Sequence, residues 1–180
     1  MSEPPHNEED LLNKNIWFLL LIQAFLMGLG TVLILQLTLG GIIPLNDWNL
    51  NPNLSYLAPD SSEWMIQKGR TMFITTLYLL ETNFIWTFRR PNKSILKSIK
   101  EEFSFALFIV CLFTLGLHIL HICFSYQVNY YINDEYGLNF QINFMFLSFT
   151  DWLLCVLFAL PGIIGIEAVK YYARMKNIRF

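Results

Sequence analysis

Four long apolar blocks, set apart by polar or charged connectors, restrict this chain more than any other feature of its sequence. They run from Ile16 to about Ile43, from Met72 to Phe88, from Phe103 to Phe124 and from Phe144 to Val169. A helix rising 1.5 Å per residue needs about 20 apolar residues to cross ~30 Å of hydrocarbon, with roughly 17 to 25 the usual range. The second block sits at the short limit of that range and the first has length to spare. One such block is compatible with a buried helix in a soluble core, but four of them in 180 residues argue against it. Apolar residues make up 54% of the chain and charged ones only 14%, against roughly 25% charged in a soluble domain. The sequence therefore predicts an all-α integral membrane four-helix bundle, a single domain over residues 1–180 with spans near 16–43, 72–88, 103–124 and 144–169. No fixed-period repeat and no Gly/Ser-rich linker divides it, and runs such as Asn46-Asp-Trp-Asn-Leu-Asn-Pro52 read as turns in short connectors.

Charge placement orients the spans. The connector Arg89-Arg-Pro-Asn-Lys-Ser-Ile-Leu-Lys-Ser-Ile-Lys100 holds five basic residues, and Lys170, Arg174, Lys176 and Arg179 follow the fourth block. The connectors Ile42 to Gln67 and Ser125 to Asn143 hold none. Basic residues collect on the cytoplasmic side, so both termini and the middle connector are expected there. Lys68 and Arg70, at the outer end of the second block, depart from the pattern. Trp48, Trp64 and Trp152 near block ends suit an interfacial aromatic belt. The acidic start, Met1-Ser-Glu-Pro-Pro-His-Asn-Glu-Glu-Asp10, lacks the basic stretch of a secretory signal and is expected to stay attached. Cys111, Cys123 and Cys155 are odd in number and lie in or beside apolar blocks, which implies no disulfide framework.

The second block carries one charge, Glu81, close to its midpoint. A carboxylate at mid-membrane depth costs about 2.5 to 3.5 kcal/mol on insertion-based scales, so it normally faces a partner group or an aqueous cavity. At roughly 100° per residue, Thr71, Thr75, Tyr78 and Thr82 form one stripe with Glu81 at its edge. Carboxylates and hydroxyls suit hard cations, so Glu81, with Tyr78 and Thr82 in support, is a candidate wall of a cation site. The competing reading is a protonated Glu81 hydrogen-bonded to a neighbouring helix.

Several stretches resemble the C-terminal end of P-type cation-transporting ATPases, most closely the calcium-pump branch. They are Gly69-Arg-Thr-Met72 followed by Glu81, Leu147-Ser-Phe-Thr-Asp-Trp-Leu-Leu154, and Leu160-Pro-Gly-Ile-Ile-Gly-Ile-Glu-Ala-Val-Lys170. Leu117-His118 is similar to the ninth helix of such pumps, and Pro4-Pro5 to Leu12 to the lead into the seventh. The resemblance implies that the four blocks are transmembrane helices seven to ten. It also implies that Glu81 matches an eighth-helix acidic residue that helps bind transported calcium. Pumps with Gln at that position select or count ions differently, so Glu81 points to a calcium-like cation as cargo, with no resident cofactor.

The chain departs from a whole pump in lacking an Asp-Lys-Thr-Gly-Thr phosphorylation motif, a Thr-Gly-Glu loop and a nucleotide domain. Alone it is not expected to be an enzyme. A start at Met1 just ahead of the seventh helix implies half of a split pump, a gene fragment or an independent relic. The first of these requires a partner chain with helices one to six and the ATP-hydrolysing domains. The alternative function is a small structural or regulatory integral membrane protein without a transport role.

The remaining polar residues carry simpler readings. His118 and His121 share a helix face as metal ligands could, but packed or interfacial histidines are the preferred assignment. Gly28-Leu-Gly30 reads as a close-packing feature, and Pro161-Gly162 as a kink. Asp151 reads as a cap or a water-reaching group, and Glu167 with Lys170 as an exposed pair. The basic connector is expected to meet anionic lipid of the bilayer rather than a cytoplasmic partner, and no nucleic-acid partner is expected.

Overall fold

A computed structural model describes residues 14–43, 62–89, 91–101, 103–136 and 144–178. The described residues form five helices and no strand: α1 (Lys14–Leu39), α2 (Ser62–Arg89), α3 (Ile95–Glu101), α4 (Phe105–Tyr136) and α5 (Phe149–Met175). The all-α expectation holds. Trp48, the Asn46–Pro52 run and the Pro4 to Leu12 lead lie outside the described residues.

Helix ends follow local chemistry more than apolar content. α1 stops where Gly41 takes the left-handed conformation at φ 70°. There the Gly41 N–H donates to Thr38 O and the Ile42 N–H to Leu37 O, closing the last carbonyls. Asn177, at φ 55°, does the same after α5, with Ile178 N–H on Ala173 O. α5 begins with a reciprocal cap: Asp151 N–H donates to Ser148 Oγ, and Ser148 N–H to Asp151 Oδ2. α2 starts ten residues ahead of its apolar block, with Glu63 in a first turn that favours acids. α4 runs on past its apolar block to Tyr136, because Leu117 to Tyr136 contains neither Gly nor Pro. The connector expected from Ser125 is thus helical for its first half. α5 continues through Pro161 as a single helix.

Contacts between helices fix their directions. Thr38 meets Met72, the space beside Gly30 is filled by Phe158 and Leu80, and that beside Gly165 by Leu26. α1 is therefore antiparallel to both α2 and α5. Cys155 lies against Met72, and Lys170 against Thr87, so α2 and α5 run parallel. α1, α2 and α5 form a mutually packed trio, while α4 leans mainly on α2 through Thr75 and His118, with Phe103 ahead of it beside Trp86. The bundle is thus a three-helix core with a fourth helix at its side. Lys14 and Met175 lie at one end, with Asp151 and Lys68 at the other.

Burial runs opposite to that of a soluble bundle. Thr31, Thr38, Thr71, Thr75, Thr76, Thr87, Lys68, Asp151 and Lys170 are buried, whereas Phe18, Leu21, Phe25, Phe113, Leu153 and Ile164 are exposed. Small and hydrogen-bonding residues inside with large apolar ones outside is the arrangement that hydrocarbon solvent selects. α1, Phe105–Ser125 of α4, and α5 are each long and apolar enough to cross a membrane. α2 falls short by composition, since it carries Lys68, Arg70, Glu81 and a series of threonines. The protein is an integral membrane helical bundle.

Candidate functional site

α2 is the polar spine of the bundle, and its side chains sort by depth. At the end near its start, Lys68 Nζ lies 2.9 Å from Asp151 Oδ1, with side-chain exposures of 0% and 3%. Asp151 was expected to reach water or to cap α5; it caps α5, and its other oxygen meets a buried lysine rather than water. Of the two basic residues that depart from the charge asymmetry, Lys68 is thereby paired inside the protein, while Arg70 is exposed.

One turn on, Thr71 Oγ1 donates to Gln67 O at 2.9 Å and accepts the Met145 N–H at 2.9 Å. Thr71 and Met72 of the Arg70-Thr71-Met72 motif are thus structural: Thr71 holds the lead into α5, and buried Met72 has Thr38 Oγ1 at its sulfur and Cys155 Sγ at its carbonyl oxygen, 3.6 Å each. Thr75 Oγ1 donates to Thr71 O at 2.8 Å and lies 2.9 Å from His118 Nε2. The Thr75 to His118 contact joins α2 to α4, with the donor set by the His118 tautomer. His118 stacks on Tyr78 at 4.3 Å and faces the edges of Phe144 and Trp152, while His121 packs on Phe144 at 4.6 Å. The histidines are packed, as expected, and His118 Nε2 is committed to Thr75. Among the described residues no three His, Cys, Asp or Glu side chains come together as a metal-binding group.

Glu81 lies one position beyond Leu80, whose methyl groups fill the space beside Gly30 and Gly162. Gly162 is the midpoint of α5, which sets Glu81 at mid-depth. Leu80 points into the trio; Glu81 and Ile85 are exposed on another side of α2. Among the described residues no hydrogen bond or ion pair engages Glu81. Tyr78, stacked on His118, and Thr82 border that face and are half-buried, and Thr82 Oγ1 donates to Tyr78 O at 2.9 Å, which leaves its lone pairs as acceptors. Thr71 and Thr75, the rest of the stripe, turn instead toward Met145 and His118.

At the opposite end, Lys170 is 1% exposed. Its Nζ donates to Thr87 O and Lys93 O at 3.1 Å each and lies 3.6 Å from Glu167 Oε1. That same carboxylate oxygen accepts the Ile95 N–H at 3.3 Å. The expected exposed pair is therefore half wrong: Glu167 stays partly accessible, but Lys170 is buried because α2 and the turn after it close over its head group. Lysine on the last carbonyls of α2 and glutamate on the first N–H of α3 complement the two helix dipoles. The spacing of Glu167 and Lys170 was visible in the sequence. What they hold was not, because their partners are main-chain groups.

Fold and site together define a helical membrane domain with a polar spine, a closed ionic clamp at each end and one uncovered carboxylate at mid-depth. The profile of the family described as cation transporting ATPase, C-terminus, matches residues 1–172, and the chain belongs to that family. Neither the comparison with curated proteins nor that with solved structures gave a match.

Proposed function

We propose that this chain is a membrane-embedded support and ion-site module of a P-type cation pump, probing a calcium-like ion with Glu81. The observation that carries the reading is the position of Glu81: at the level of the α5 midpoint, on a face of α2 that the described helices leave exposed. A charged carboxylate there is too costly against hydrocarbon, so a cation and further oxygen ligands from other helices are its natural surroundings. Tyr78 and Thr82 are the supporting oxygens in this reading. Residues 1–180 hold no aspartyl phosphorylation motif, and this reading assigns the ATP-driven step to a partner chain carrying helices one to six and the catalytic domains. Both termini and the Arg89 to Lys100 connector lie on the cytoplasmic side in this reading, supported by the basic residues clustered at that end.

Co-expression with such a partner tests the reading. The two chains should co-purify in detergent and form an acid-stable phosphoenzyme only together. In a background lacking Cys111, Cys123 and Cys155, Asn51→Cys should label from outside and Ser94→Cys should not. A chain that never associates with a pump core, or a reversed labelling pattern, would remove this function and favour the structural or regulatory alternative.

A further inference from the structure

The end of the bundle around Lys170 carries a surface that ion binding does not use. α3 lies between α2 and α4, and its orientation is fixed from below by α5: Glu167 accepts the Ile95 N–H, and Lys170 holds Lys93 O. Ser98 is buried and marks the inward side. At roughly 100° per residue, the outward arc then reads Ile99, Leu96, Lys100, Lys97, which is half apolar and half cationic. Leu96 is 82% exposed and Ile99 38%. Phe103 is also exposed just beyond the helix, with its ring 6.1 Å from that of Trp86.

Charge adds to this arrangement. Residues 89–102 contain five basic side chains against Glu101 and Glu102. Lys93 and Lys97 contact Glu101 at 3.6 and 3.7 Å as accessible pairs, and such surface pairs hold little free energy. Lys100 and Arg89 are exposed as well. A connector bathed in water has no reason to present Leu96, Ile99 and Phe103 outward. At the ends of membrane-spanning helices, the environment that takes apolar and cationic side chains side by side is the headgroup region.

We propose that the α3 segment is a binding surface for anionic phospholipid headgroups. Leu96, Ile99 and Phe103 enter the acyl boundary, while Lys97, Lys100 and Arg89 meet the headgroup anions. The proposal rests on the reading of the chain as membrane-embedded with this connector at the cytoplasmic leaflet. It is independent of any role for Glu81.

The test uses the full chain in nanodiscs, with its three cysteines replaced and a fluorophore attached through Asn92→Cys. The bilayer is phosphatidylcholine containing a small fraction of spin-labelled lipid, either phosphatidylserine or phosphatidylcholine. Both faces of a nanodisc are accessible, so neither chain orientation nor a pump partner affects the result. Phosphatidylserine should quench at a several-fold lower mole fraction than phosphatidylcholine. Each basic residue near an anionic surface is worth about fivefold, so Lys97→Gln with Lys100→Gln should erase most of the preference. In the unmodified chain, ~0.5 M salt should erase it too, which keeps the test valid if the double variant folds poorly. Equal quenching by the two lipids would overturn the proposal, as expected if this face docks on an acidic protein surface. A preference that survives both the substitutions and the salt would overturn it equally.

Discussion

Replacing Lys68 by methionine should destabilise the bundle more than any neutral surface change, because Asp151 would stay buried without its counter-charge. The Lys68 to Asp151 distance of 2.9 Å gives a gross attraction of roughly 6 kcal/mol at an effective dielectric of about 20. Removing two charges from water costs several kcal/mol per ion, so the intact pair is close to neutral for stability. Its disruption is not neutral. Breaking a buried pair by deleting one partner costs about 3–5 kcal/mol, equivalent to two to three and a half orders of magnitude in the folding equilibrium. Lys68→Met combined with Asp151→Asn should recover most of that loss, since asparagine can still accept the Ser148 N–H that closes the α5 cap. Reversible unfolding in mixed micelles, followed by tryptophan fluorescence, gives both values. A cost below about 1 kcal/mol for Lys68→Met, or a double variant no better than the single, would refute the argument.

Two further substitutions read the packing. A Cβ at Gly30 would lie 2.6 Å from the backbone oxygen of Phe158, whereas one at Gly28 would meet nothing within 4 Å. Gly30→Ala should therefore push α1 from α5 and cost about 1–3 kcal/mol, while Gly28→Ala should be neutral or stabilising by up to ~1 kcal/mol; the same unfolding assay checks both. Lys170→Met should leave Thr87 O and Lys93 O without their charged donor, lowering stability by about 2–3 kcal/mol and speeding amide exchange from Arg89 to Ile95.

The apolar blocks carried the membrane class and four long helices directly, because hydrocarbon solvent demands length and composition that nothing else in a short chain demands. They did not carry helix ends. Ser62 to Thr71 and Ser125 to Tyr136 are polar segments that stay helical: the second holds neither Gly nor Pro, and in the first the single Gly69 lets Leu35 and Thr38 of α1 pack close rather than ending the helix, features hidden from hydropathy. Glu81 stood out as a lone charge in an apolar run. The pairing of Lys68 with Asp151 was signalled only as an exception, a lysine on the wrong side of a charge asymmetry, and its partner lies 83 positions away. Of the glycine pair, only three-dimensional packing distinguishes Gly30 from Gly28.

Cation affinity of the assembled two-chain complex tests the central claim most directly. Glu81→Gln keeps the side-chain shape and removes the charge, so assembly should persist while calcium-dependent phosphorylation shifts to higher calcium by roughly tenfold or more, the scale of one lost charged contact of about 1.5–3 kcal/mol. Unchanged calcium dependence at unchanged assembly would contradict the account, excluding Glu81 from the ion path and leaving this chain as a scaffold.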